Sequence, residues 1–455
     1  MSYSEKLAGY IIHLNYDSIA ENTKKKVKYC IIDWLGAVYA AYKYNNKLSD
    51  MYISFALKQG GIGKYLIIGS EHKTSLLWSV FANAALGHIA EVDDGHRTSI
   101  MHPGAVVIPV AFGLSFEKEL TGKKFIEAII GGYEIAIRVG ECLGENHYSI
   151  WHTTATAGTF GSTATAAKIM NLNEKQIIYA LGHAGTQAAG LWQFLLDGYA
   201  EAKPLHPAKA VLNGILSAQL AEQNLKGAKR IFEGDKGLCK ATSSKYDLDK
   251  LDYGLGESFK VDTVNFKAYP TCGQTHTAID AMKKLSKKYN FKYINIDKID
   301  IFIYQRAIDI AGIKCPHSIE EAKFSIPFCI ATLLIKGDIT FHNLSDEDLD
   351  NPDIRRLMKK VKLKYDSELN QKFPKCRPCR VYVYLNNGKK IVTENYFRKG
   401  DPENPMNEEE IIEKFNQLTD KVISKSRARS IVDSVLNLEH AKNLDNLCNM
   451  LVFKK

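Results

Sequence analysis

Several features that would settle a function quickly are missing from this 455-residue chain. No apolar run could cross a membrane: the longest, residues 105–116, is about half of the roughly 20 residues required, and it contains Pro109. The opening MSYSEKLAGY has neither a basic nor a long apolar leader region. Cysteines are few and scattered, nine at positions 30, 142, 239, 272, 315, 329, 376, 379 and 448. An odd, dispersed set suits reduced thiols rather than a disulfide framework, so a cytoplasmic protein is expected. There is no G-x-S-x-G nucleophile elbow, no phosphate-cradling G-x-x-x-x-G-K-[ST] and no G-x-G-x-x-G after a strand, which argues against nucleotide and flavin cofactors. Neither repeats nor low-complexity tracts occur. Charge is not one-sided: 60 Lys and Arg against 51 Asp and Glu leave +9, which admits nucleic acid or a small anion as partner.

What is present is an ordinary globular composition, 45% hydrophobic and 24% charged, in a chain long enough for two domains. Apolar Val27, Ile31, Leu35 and Val38 recur at helical spacing and predict a helix from Asn22, as its cap, to about residue 42. Thr121 precedes a second helical pattern, and Asn173 with Gln176 forms a capping-box start to IIYALGHAGTQAAGLWQF. The small-residue segment TTATAGTFGSTATAA, 153–167, predicts a helix buried on several sides, because small side chains let axes approach closely. After about residue 265 the pattern changes. Ile299, Ile301 and Ile303 alternate with Asp300, Phe302 and Tyr304 as a half-buried strand does, and Asn387-Gly388 joins strands at 380–385 and 389–393 as a hairpin. Helical stretches near 319–336 and 346–358 lie between. The expected fold is mainly α, with a discontinuous helical domain (1–265 and 405–455) and a smaller inserted α+β lid domain (266–404). Basic clusters at 24–26, 283–288 and 355–364 have helical spacing without interleaved aromatics, and read as solvated helix faces rather than a nucleic-acid surface.

Histidines are more informative than net charge. Of 13, those at 88, 96, 102, 147, 152, 183 and 206 crowd into about a quarter of the chain. His88, His96 and His102 match no metal-binding spacing, although Glu91, Asp93 and Asp94 lie among them, and Cys376-Arg-Pro-Cys379 is a lone pair better read as buried thiols. No metal is expected. Four segments could supply proton-transfer chemistry: EVDDGHRTSIMHPG, Trp151-His152-Thr153, Ala202-Lys203-Pro204-Leu205-His206, and Tyr269-Pro-Thr-Cys-Gly-Gln-Thr-His276. Each histidine alone is more often structural than catalytic. Their shared place at element boundaries lets side chains converge on a cleft.

Taken in order, EVDDGHRTSIMHPGAVVIPVAFGLSFEKELTGKKFIEAIIGGYEIAIRVG, HTTATAGTFGSTATAAKIMNLNEKQIIYALGHAGTQAAG, AKPLHPAKAVLNGILSAQLAEQ and FKAYPTCGQTHTAIDA resemble the MmgE/PrpD family. The resemblance runs from the IIDWLG segment at 31–36 to EAKFS at 321–325. This family includes 2-methylcitrate dehydratase, cis-aconitate decarboxylase and iminodisuccinate epimerase. The resemblance implies a helical domain built from both chain ends, an α+β lid, a homodimer and no metal or organic cofactor. It places the family's acidic pair on Asp93 and Asp94, its histidines on His102, His152 and His276, and its lysine on Lys203. The decarboxylase branch has histidine where Cys272 stands and threonine where Gly95 stands, with Thr98 nearby, and these departures count against a specific decarboxylase.

The resemblance therefore implies a cofactor-free lyase that handles a proton beside a carboxylate of a small di- or tricarboxylate. A 2-methylcitrate dehydratase-like hydro-lyase is the favoured expectation. A cis-aconitate decarboxylase-like carboxy-lyase and an iminodisuccinate epimerase-like isomerase are alternatives, and an anionic-metabolite or nucleic-acid binder is the non-enzymatic one. Such chemistry needs cations for the carboxylates and an acid or base at the reacting carbon. Lys203 and His102 are expected to anchor carboxylates, His152 or His276 to move the proton, and Asp94 to orient His102. Asp93, Thr98 and Cys272 are candidate substrate contacts. Neither nucleic acid nor a membrane is expected as a partner.

Overall fold

A computed structural model describes residues 1–452, without the side chain of residue 118. The described chain is 59% helical, and its residues separate into two compact units, 1–264 with 408–452, and 265–407. No helix is long and apolar enough to cross a membrane among the described residues.

In the first unit, α1 (Tyr3–His13), α2 (Glu21–Tyr44), α3 (Asn46–Gly60), α4 (Leu76–Ile89), α5 (Gly104–Lys118), α6 (Gly122–Tyr148), α7 (Thr153–Ile169), α8 (Glu174–Gln187), the single-turn α9 (Gln193–Leu196) and α10 (Leu205–Glu222) follow one another. Ala20, not Asn22, is the N-cap residue of α2 and makes no side-chain cap. Thr121 caps α6, and Asn173 with Gln176 forms the expected box on α8. That helix stops at Gln187, short of the LWQF end of its sequence pattern. A two-stranded ribbon, β1 (Tyr65–Leu66) with β2 (Lys73–Thr74), also lies in this unit, too short to leave a period in the sequence.

The small-residue helix α7 is the unit's axis: all its residues except Lys168 are buried, and α5, α6, α8 and α10 pack around it. A buried helix rich in Ser and Thr must satisfy its hydroxyls internally. Thr159, Ser162, Thr163 and Thr165 do so by donating to carbonyls four residues earlier, at 2.8–2.9 Å. Absent side chains set the spacing. A Cβ on Gly161 would stand 2.6 Å from that of Ala136, and one on Gly214 of α10 would collide with Ser162.

The C-terminal helices Glu408–Thr419 and Lys425–Leu436 both pack on α2. The 24–26 cluster is not a solvated face. Lys24 pairs with Glu21, Lys26 donates to the Val264 carbonyl at 2.7 Å, and neighbouring Lys28 is buried against Leu436 and Glu439. Lysine stems here cover apolar surface while their heads cap carbonyls.

The second unit holds a mixed four-stranded sheet in the order β4 (Val361–Tyr365), β3 (Ile296–Ile303), β5 (Cys379–Leu385), β6 (Lys390–Asn395). β3 runs parallel to β4 and antiparallel to β5, with Ile299 opposite both Val361 and Val383. Gly388, at φ +81°, makes the expected hairpin turn. β3 is not half-exposed: Asp300 and Tyr304 are buried beside its isoleucines. The 355–364 cluster is also split, since the helix Pro352–Lys360 ends there and VKLKY continues as the edge strand β4. Its alternating lysines give a sheet edge the charge that discourages further pairing. The 319–336 stretch breaks into Ile319–Ala322 and Ile326–Lys336, where Ser325 caps the second helix and Pro327 occupies its first turn.

Candidate active site

Four of the seven crowded histidines converge in the helical unit: His88 near the end of α4, His102 just before α5, His152 just before α7 and His206 in the first turn of α10. Ring centroids are 4.8 Å apart for His88 and His102, 6.0 Å for His88 and His152, and 5.1 Å for His152 and His206. The other three are structural. His96 bridges Ser99 and Thr263, His147 bridges Thr156 and Thr242, and His183 meets the Leu225 carbonyl.

Asp93 is the hub. One of its oxygens, Oδ2, lies 2.8 Å from His88 Nδ1 and 3.2 Å from His102 Nδ1. Burial alone would raise its pKa, but the two imidazoles outweigh it and hold the carboxyl well below its usual range. His88 is pushed down by its own burial. Oδ1 of Asp93 and Nε2 of His88 are buried without a hydrogen-bond partner among the described residues.

These three side chains offer the donor types of a metal site, with ligand atoms within 4.8 Å of one another. His102 Nδ1, the nitrogen that faces Asp93, sits 2.7 Å from the Asp94 backbone carbonyl, an acceptor that requires a proton on that nitrogen, so this ring could ligate a metal only through Nε2. Its proton therefore points at Asp94 O and Asp93, and Nε2 is left for chemistry. The ring is 19% exposed, against none for Asp93.

Asp94 acts on His102 through that carbonyl rather than through its carboxylate. The carboxylate accepts from Tyr133 Oη at 2.7 Å and from Gly104 N at 3.0 Å, tying the loop to α6 and to the start of α5. Burial raises its pKa to about 7, against the lowering effect of the Tyr133 hydrogen bond. A Cβ on Gly104 would stand 2.8 Å from both Asp94 Oδ1 and Tyr133 Oη, which is why the residue after His102-Pro103 has no side chain.

Lys203 lies at the far end of the loop that follows α8. Its Nζ is 2.6 Å from Glu91 Oε1. Burial works against the ammonium, but Glu91 outweighs it and holds the pKa above the ordinary value. Glu91 itself sits at φ +58°, a strained turn immediately ahead of Val92 and the acidic pair. The same post-α8 loop donates from Trp192 N to Ile150 O and accepts from His152 N at Gly190 O. The Trp192 ring thereby lies 4.4 Å from that of His152.

Thr98 faces elsewhere: it is exposed and donates to Glu141 at 2.6 Å. His276 and Cys272 belong to the second unit. There His276 is buried at the start of the helix His276–Tyr289, its Nε2 3.1 Å from the Thr271 carbonyl and its ring edge-on to Tyr269. Burial and then Arg398 depress it to about 3. Arg398 is locked in a buried pair with Asp401 at 2.6 Å. Cys272 is partly buried in the preceding turn. Sequence reasoning singled out Lys203 and His102 but gave no site role to His88, His206, Glu91, Tyr133 or Trp192. Of the two histidines among these, only His206 stood in a word that carried any signal, KPLH.

The MmgE/PrpD N-terminal domain matches residues 5–251 and the MmgE/PrpD C-terminal domain matches 269–440. The chain belongs to the MmgE/PrpD family. It is 25% identical to a cis-aconitate decarboxylase of Aspergillus terreus, over 96% of this chain and 94% of that protein. It is 24% identical to the cis-aconitate decarboxylases of Mus musculus and Homo sapiens, over 99% of this chain and 93% and 94% of theirs.

Proposed function

We propose that this protein is a carboxy-lyase that decarboxylates a small unsaturated tricarboxylate of the cis-aconitate kind. The relatives support this alternative over the dehydratase expected from sequence, since those matched end to end carry the decarboxylase name. The observation that carries the reading is His102, whose Nδ1 proton is committed to Asp94 O and Asp93 while Nε2 remains for substrate.

Decarboxylation with allylic shift breaks the bond between a methylene carbon and its carboxylate. The bonding pair becomes a new C=C, the old double bond delivers its pair to the far carbon, and one proton is taken up there. The site must hold several carboxylates, accept developing negative charge and donate one proton. Lys203, kept cationic by Glu91, answers a carboxylate. His102, with Asp93 at its back to hold the imidazolium charge, donates from Nε2. His152 supplies a hydrogen bond beside it. This gives His102 the proton transfer and His152 a binding role, the reverse of the assignment expected from sequence.

Proton NMR of the purified protein with cis-aconitate, citrate, 2-methylcitrate and iminodisuccinate tests this. The vinyl signal of cis-aconitate should give way to that of a methylidene product. Consumption of 2-methylcitrate alone, or deuterium exchange into iminodisuccinate alone, would replace the decarboxylase with a hydro-lyase or an epimerase.

A further inference from the structure

Nδ1 of His152 and Nδ1 of His206 are 2.9 Å apart. Two ring nitrogens at that distance share one proton: both protonated they repel, and both bare they have nothing to bond with. The arrangement is held from several directions. His152 N donates to Gly190 O, and His206 N donates to Lys203 O. Trp192 lies against the His152 ring, and Phe194 meets His206 edge-on at 5.1 Å. A Cβ at Gly190 would collide with Ala155 and stand 3.3 Å from His206 Nδ1, so the loop backbone itself walls the pair.

The charged and titratable groups that act most strongly on the pair disfavour an extra proton. Lys203, His88 and His102 face His152, and His88, Lys203 and Lys209 face His206, all adding to the effect of burial. The pair is therefore neutral, His206 being depressed to about 4 and His152 well below its ordinary value. A neutral pair has two proton arrangements. If His152 donates to His206, its Nε2 is a bare lone pair, which repels a carboxylate. If His206 donates, His152 carries its proton on Nε2 and presents a donor.

We propose that His206 is a positioning residue that donates its Nδ1 proton to His152, fixing His152 as an Nε2–H donor toward a substrate carboxylate and denying it the role of base. The inference rests on the polycarboxylate reading for its ligand, and on the 2.9 Å contact for its geometry.

The test combines spectroscopy and kinetics on the full chain. Long-range proton–nitrogen correlation of 15N-histidine protein, with His152 assigned from a His152→Gln variant, reads which nitrogen holds the proton, in the free protein and with tricarballylate as a non-reacting tricarboxylate. The parent should show His152 protonated on Nε2 in both. His206→Asp offers only acceptors and should move the proton to Nδ1. His206→Phe keeps the ring's volume and should leave a mixture. In cis-aconitate turnover, His206→Asp should raise KM roughly tenfold or more, as expected for a lost donor to an anion, whereas His206→Phe, which keeps the Nε2–H form as part of a mixture, should raise it only about two- to fivefold. His206→Asn, whose amide can still donate from the Nδ1 position, should restore most of it. An Nδ1-protonated His152 in the parent, or a pattern that His206→Asp leaves unmoved, overturns the proposal. A parent protein inert toward cis-aconitate but with the Nε2–H pattern overturns the substrate reading and supports this one.

Discussion

Lys414, on the C-terminal helix Glu408–Thr419, places its ammonium 2.6 Å from Asp33 of α2 and 2.7 Å from the carbonyl of Val92. Val92 is the residue before the Asp93–Asp94 pair, so a lysine more than 300 positions downstream holds the backbone that carries the hub of the site. Both side chains are essentially buried. Removing one partner of such a pair strands a charge and costs about 3 to 5 kcal/mol. Lys414→Met should therefore lower the denaturation midpoint strongly, and Lys414→Met with Asp33→Leu should recover much of it. A single variant as stable as the parent would show that the pair carries no weight.

Asp94 gives a pH signature. Its folded-state pKa of about 7 lies above the ordinary 3.8, so the folded chain binds more protons than the unfolded one between those values. The stability it contributes is complete below about pH 4 and is lost as pH rises to about 7. Buried histidines such as His96 and His147, both depressed to about 4, act in the opposite sense as pH falls below 6.5. The informative quantity is therefore a difference: the stability of Asp94→Asn minus that of the parent should rise across pH 4 to 7, by on the order of 4 kcal/mol at most. A flat difference in urea titrations would place the carboxyl's pKa near its ordinary value.

His102→Asn keeps a donor where Nδ1 stood but has nothing at Nε2. Under the decarboxylase reading kcat should fall by about 10²- to 10⁴-fold, the usual weight of a positioned acid or base. KM should move much less. Steady-state rates with cis-aconitate check this, and a loss confined to KM would make His102 an anchor instead.

Packing around α7 predicts a contrast between two glycines. Gly214→Ala drives a methyl into Ser162 and should destabilise by about 1 to 3 kcal/mol, the cost of overpacking a tight core. Gly9 in α1 has open space around its Cβ position, and Gly9→Ala should stabilise by about 0.5 to 1 kcal/mol through helix propensity. Equal effects of the two changes would contradict the close approach of α10 to α7.

Much of this was legible in the sequence because long elements leave periods. The mainly α architecture, the burial of α7, the box on α8 and the hairpin at Gly388 all follow from local residue choices. Short or edge elements did not show: β1 and β2 are two residues each, and VKLKY reads as the tail of a basic helix until β3 pairs with it. The early stop of α8 was hidden because AAGLWQF continues an apolar pattern that the chain uses for loop contacts instead. Within the site, His102 and Lys203 stand in recognisable words, but His88 sits in an apolar helix end with no neighbouring cue. Only the three-dimensional meeting with Asp93 gives it a role. The swapped duties of Asp93 and Asp94 were equally invisible, since a carbonyl and a carboxylate on adjacent residues are indistinguishable in one dimension.

The enclosure of α7 has an evolutionary corollary. With neighbours on every side and its hydroxyls committed inward, its body tolerates little drift, and His152 at its head inherits that fixity. The segment from Ala188 to Lys203 is largely solvent-facing, with Leu196 and Tyr199 well exposed, yet it also delivers Trp192 and Lys203 to the same histidine cluster. Under the decarboxylase reading, change in which acid such a scaffold accepts is therefore open to this loop and closed to the helix beneath it, so that substrate preference can diverge while the proton-handling groups stay in register.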